Sequence, residues 1–94
     1  MNARITARNS GTDSVTTSAI GTDFVTLPAH TATEVVLYNY TGVELEWRLG
    51  TGYAIALKNN TGVTIPTTPN TSRISLRRAD TSNTTVTIGF HFLD

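Results

Sequence analysis

The sequence contains no cysteine, one methionine, one tryptophan and three prolines. Without cysteine there are no disulfide staples and no thiolate zinc site. Basic and acidic residues number seven each, so charged side chains make up 15% of the chain and the formal net charge is zero. A general nucleic-acid binder needs an excess of Lys and Arg to neutralise phosphates, so nucleic acid is not an expected partner. No segment approaches the roughly 20 apolar residues of a membrane-spanning helix, and a membrane is not an expected partner either. The opening residues Met-Asn-Ala-Arg-Ile-Thr-Ala-Arg carry no apolar run of the secretion-signal kind, so synthesis in the cytoplasm is expected. No window repeats its apolar residues at the helical period, which removes the helix as a main building element.

What is abundant is threonine, at nineteen of 94 residues. Its β-branched side chain loses rotamer freedom in a helix and sits well on a half-exposed pleated surface. The clearest alternation lies in Thr33–Leu49, where Val43, Leu45, Trp47 and Leu49 share one side and Glu44, Glu46 and Arg48 the other. That is a strand with one dry and one wet face. Together with Val35-Val36-Leu37-Tyr38 and the polar Asn39-Tyr40-Thr41-Gly42, it predicts a hairpin. The apolar residues on both faces of Val35–Tyr38 predict a central strand covered on each side.

Further strands are predicted at Phe24–Leu27 (stopped by Pro28), Tyr53–Leu57, Val63–Ile65 (stopped by Pro66), Arg73–Arg77 and Thr85–Phe92. In the last, Val86, Ile88, Phe90 and Phe92 share a face, and Gly89 marks a bulge or a close backbone approach. Leu37-x-Asn39-x-Thr41-Gly42-Val43-x-Leu45 recurs twenty residues later as Leu57-x-Asn59-x-Thr61-Gly62-Val63-x-Ile65. Either a duplication or two hairpins with one geometry explains it, and both imply a meander-like antiparallel arrangement. The fold class is therefore all-β: a small antiparallel β-sandwich of jelly-roll type, with a loosely ordered N-terminal arm. The expected core is Val35, Leu37, Val43, Leu45, Trp47, Ile55, Leu57, Val63, Ile65, Ile74, Leu76, Val86, Ile88, Phe90 and Phe92.

Residues 1–22 form the N-terminal arm or an edge strand, and residues 23–94 form the sandwich domain. Ile5, Val15 and Ile20 are the only sizeable apolar residues of the first part after Met1, spaced within Ser and Thr so that the segment extends and adds to a partner's sheet. Gly11-Thr12-Asp13-Ser14-Val15-Thr16 nearly recurs as Gly21-Thr22-Asp23-Phe24-Val25-Thr26; biased composition or a strand-plus-turn unit accounts for it. A chain of this length buries only about 60–65% of its unfolded surface, which favours added burial in an oligomer, a trimer by preference.

Chemistry-bearing groups are sparse. Glu44 and Glu46 stand about 7 Å apart on one strand face. A cross-strand salt bridge to Arg48, Arg73 or Arg77 explains them better than acid–base catalysis. His30 and His91 lie far apart in sequence with no clustered carboxylates, so no metal site is expected. No nucleophile-base-acid signature and no phosphate loop occur, so neither a catalytic residue nor a cofactor is assigned. Arg77 and Arg78 point to opposite faces of a strand and read as solvated or intersubunit salt-bridge partners. Tyr38, Tyr40 and Tyr53 are interface candidates, or rings on which a sugar stacks.

The short neutral Thr-rich chain, the soft first segment, the Cys-free strands and the tail Ile74-Ser75-Leu76-Arg77-Arg78-Ala79-Asp80-Thr81-Ser82-Asn83-Thr84-Thr85-Val86-Thr87-Ile88-Gly89-Phe90 together resemble small virion proteins of tailed bacteriophages. The nearest type is the capsid decoration, or cement, protein, and the resemblance covers mainly Phe24–Asp94. It implies a non-enzymatic virion structural protein, made in the host bacterial cytoplasm and bound to the major capsid protein lattice. A glycan- or receptor-binding β module of a phage fibre, spike or tail appendage is the alternative.

Overall fold

A computed structural model describes residues 10–66 and 70–94. Strands form where apolar and polar side chains alternate: β1 Ser10–Thr16, β2 Val25–Thr26, β3 Glu34–Asn39, β4 Leu45–Leu49, β5 Ile55–Leu57, β6 Thr61–Pro66, β7 Ile74–Arg78 and β8 Thr87–Leu93. A 3-10 turn, Thr71–Arg73, precedes β7, with the Asn70 side chain accepting from the Ser72 N–H at its start. No α-helix occurs among the described residues.

The strands form two four-stranded antiparallel sheets, ordered β1-β8-β3-β6 and β2-β7-β4-β5. Their inner faces supply one core. Val15, Val35, Leu37, Ile65, Ile88 and Phe90 come from the first sheet, and Leu45, Leu57, Ile74 and Leu76 from the second. Leu27 and Ala32, in the connection between β2 and β3, complete it and were not expected there. Val43, Trp47, Val63, Val86 and Phe92 pack against it partly buried, as nominated. Ile55 does not belong to it: it is 48% exposed. Its strand, β5, is an edge with a sheet neighbour on only one side.

The expected β3–β4 hairpin does not form, because the two strands lie in different sheets. Alternation reports which face is dry but not which strand lies alongside. The residues between them make a corner built on Asn39, which is fully buried. Its Nδ2 donates to the carbonyls of Val43 and Leu57, both at 2.8 Å, and its Oδ1 accepts from the Thr41 N–H and hydroxyl. The meander expectation fails for the same reason. Among the described strands only β4 and β5 are consecutive and hydrogen-bonded to each other; the other pairings are β1 with β8, β8 with β3, β3 with β6, β2 with β7 and β7 with β4. Gly89 makes no bulge, pairing in regular register with Ser14 and Tyr38.

Within the segment read as arm or edge strand, residues 10–16 take the edge-strand form, paired with β8 from Ser10↔Leu93 to Thr16↔Thr87. Val15 is buried in the core, so the boundary at residue 22 does not separate an arm from the domain over these residues. The near-repeat of Gly11–Thr16 and Gly21–Thr26 shares only its last two residues as strand, Val15-Thr16 and Val25-Thr26. The first copy is β1, whereas the second opens in the turn before β2, with a buried Gly21 against which the Thr81 and Ser82 carbonyls pack.

Candidate functional site

The outer face of the first sheet carries the most developed surface feature. On β3 and β8, Tyr38 faces outward opposite Gly89, and Val36 opposite His91. On the other side, Tyr38 faces Gly62 of β6, and its ring leans over that glycine: a Cβ there would stand 2.9 Å from Tyr38 Cδ1. The Tyr40 ring lies parallel to that of Tyr38, at 6.1 Å between centroids and 6° between planes. His91 meets Tyr38 edge-on at 5.9 Å. Tyr38 and Tyr40 are 42% and 72% exposed, so the expectation that β3 is covered on both faces is overturned.

These rings border an open groove of ≈ 290 Å³ with Thr12, Thr87, Gly89 and His91 around it. A second, of ≈ 360 Å³, adjoins it past Thr12, Tyr38 and His91 and reaches Val36 and Leu93. A Cβ added at Gly89 would meet nothing closer than the Asp13 carbonyl at 3.9 Å, so this glycine keeps the groove floor low.

Tyr53 lies apart from these rings, in the β4–β5 connection, at 94% exposure. Leu49 and Ile55, 40% and 48% exposed, belong to the two strands it joins, so the β4–β5 hairpin exposes three large apolar side chains. Of the three residues nominated for partner binding, Ile20 is 60% exposed, Val15 is in the core, and Ile5 lies outside the described residues. Burial removes Val15 as a contact residue.

Arg77 and Arg78 do diverge. Arg77 Nε donates to Glu46 Oε1 at 3.0 Å, Nη1 donates to the Thr22 carbonyl, and its guanidinium covers the Phe24 ring at 4.5 Å. Arg48 covers the same ring at 3.9 Å. This arginine–phenylalanine lid on the second sheet was not legible in the sequence, because its parts come from three strands or their flanks. Arg78 binds Asp80 through two nitrogens and also donates to the Thr84 hydroxyl. The hydrogen bond from Arg78, assisted by the Ser82 N–H, holds the Asp80 carboxyl below its ordinary range. Glu46 thus has the salt-bridge partner foreseen on the Arg73/Arg77 face, while Glu44 lies outside β4 and is exposed.

One pair was missed altogether. His30 Nε2 lies 2.8 Å from Asp13 Oδ2, joining the β2–β3 connection to β1. The His30 ring stacks on Phe92 at 4.1 Å and meets Phe90 edge-on. Its hydrogen bond, with that of the Ser14 N–H, holds the Asp13 carboxyl below the usual carboxylate range. No local motif links residues 13 and 30. The described residues contain no group of three His, Asp or Glu side chains able to hold a metal ion, and no helix long and apolar enough to cross a membrane.

No protein-family model matches the chain, and neither does any curated protein or solved structure.

Proposed function

We propose that the protein is a non-enzymatic structural component of a virion, a decoration or cement protein seated on the major capsid protein lattice as a homo-oligomer, with a trimer preferred. The observation that carries this reading is the β4–β5 hairpin, which exposes Leu49, Tyr53 and Ile55 together. Large apolar side chains exposed on one hairpin suit a docking surface better than open water. The strand order supports the jelly-roll reading of the sandwich, an architecture used in viral shells and in lectins. The test adds purified protein to particles lacking it and counts bound copies. The Tyr53→Ser/Ile55→Ser variant should melt like the parent and fail to attach; full attachment would exclude the hairpin as the docking surface.

The second reading, a glycan- or receptor-binding module of a fibre, spike or tail appendage, is favoured by the parallel Tyr38 and Tyr40 rings beside an open groove. Copy number separates the two, being high for a shell coat and low for an appendage.

A further inference from the structure

We infer that the outer face of the first sheet is a saccharide site, taking a neutral oligosaccharide along β8 with its sugar rings against Tyr38 and Tyr40. The inference deepens the second reading but holds equally for a protein that coats the shell, so its failure leaves the attachment test untouched. Three features select this ligand class. The two tyrosine rings are exposed and parallel, offering flat apolar faces to the C–H side of a pyranose. Gly89 leaves the floor between Thr12, Thr87 and His91 at backbone level, so a ring can lie close to the strand while those side chains reach its hydroxyls.

Charge provides the third. Among the described residues neither groove is lined by a Lys or Arg, and the one acid, Asp13, has its carboxylate engaged by His30 and the Ser14 N–H. A sulfated or phosphorylated ligand would find no permanent counter-charge among these lining residues, whereas an uncharged polyol needs none. Length favours an oligomer over a single sugar. The two grooves share Thr12, Tyr38 and His91 and together run from Thr87 to Leu93, roughly 20 Å of strand.

The experiment titrates the full chain with cellotetraose, maltotetraose and N-acetylchitotetraose, and with a heparin tetrasaccharide as the anionic probe, following amide shifts by NMR. At about 10 mM, enough to reveal a weak site, at least one neutral probe should give saturable shifts at Gly89 and His91. Tyr40→Ala removes an exposed ring, and Gly89→Val fills the floor without touching the core. Each should weaken binding by about tenfold or more with an unchanged melt, as loss of a central stacking contact does. Should Gly89→Val fold poorly, Tyr40→Ala decides alone. No saturable shift from any neutral probe, shifts that survive the substitutions, or a preference for heparin would each overturn the assignment.

Discussion

Asn39 and Asn59 hold equivalent places in two corners of the chain, and each bonds into the other's corner. Asn39 Nδ2 donates to the Leu57 carbonyl at 2.8 Å, and Asn59 Oδ1 accepts from the Gly42 N–H at 2.8 Å. The Asn60 N–H also donates to the Asn39 carbonyl. The twenty-residue echo in the sequence therefore marks two crossings between the sheets, β3 to β4 outward and β5 to β6 back. Matching positions share their burial: Leu37 with Leu57, Val43 with Val63, Leu45 with Ile65. The asparagines differ, Asn39 being buried and Asn59 exposed.

That difference sets the first expected outcome. Asn39→Ala takes a buried donor from the Leu57 carbonyl and leaves the Val43 carbonyl only the Thr41 hydroxyl, and should cost about 1–3 kcal/mol. Asn39→Asp should cost more, because a carboxylate would face those two carbonyls. Asn59→Ala exposes the Gly42 N–H to water and should stay within about 0.5 kcal/mol. Urea midpoints at constant slope measure all three; equal losses at both asparagines would refute the asymmetry.

Asn39 also shows why the sequence is legible only in part. The alternation of Ile88 and Phe90, or of Ile74 and Leu76, requires a dry face, and the structure buries all four. Asn39-x-Thr41-Gly42 carries turn chemistry, which reads as an exposed hairpin loop until the burial of its first residue is known. Pairing partners are long-range facts that no local pattern encodes, so β3 and β4 were joined wrongly. Of the candidate site, the exposed tyrosines were legible as residues but not as a surface. Gly89 and His91 join Tyr38 only through the β3–β8 register.

Acid should weaken the fold through Asp13. Its carboxyl titrates below the ordinary value in the folded chain and near about 3.9 when unfolded. The stabilisation is therefore complete above the unfolded value and is lost as pH falls through the lowered folded one. Asp80 contributes with the same sign. Thermal melts between pH 6 and pH 2, in steps of about half a unit, should show a decline setting in near pH 4–5 that is shallower in Asp13→Asn. An identical decline in that variant would mean that the His30 contact contributes nothing.

Core substitutions should rank by enclosure. Phe90, 1% exposed and central to β8, should lose about 3–5 kcal/mol on truncation to Ala, a large part of the 5–15 kcal/mol available to a domain. Trp47 is only partly buried, and its Nε1 is enclosed without a hydrogen-bond partner. Trp47→Phe removes that N–H and should cost less than Phe90→Ala, while Ile55→Ala should be nearly neutral. Melting curves that place Ile55→Ala beside Phe90→Ala would contradict the edge position of β5.

The last expectation concerns the first strand. Deleting residues 2–20 removes β1, whose register runs along seven residues of β8, and with it the buried Val15. It also removes the Thr17 N–H bond to the Val86 carbonyl and the Asp13–His30 contact. Burial of one valine contributes about 1.5–3 kcal/mol, and each kcal/mol moves the Tm of a domain this size by about 4–8 °C. The truncated chain should therefore melt about 10 °C or more below the parent, or fail to fold. Ile20→Ser, at a side chain 60% exposed and outside β1, should melt unchanged, so its attachment to particles reads the docking contribution of that side chain alone. If the truncated chain melts with the parent, β1 is dispensable to the sandwich and the pairing with β8 adds no stability.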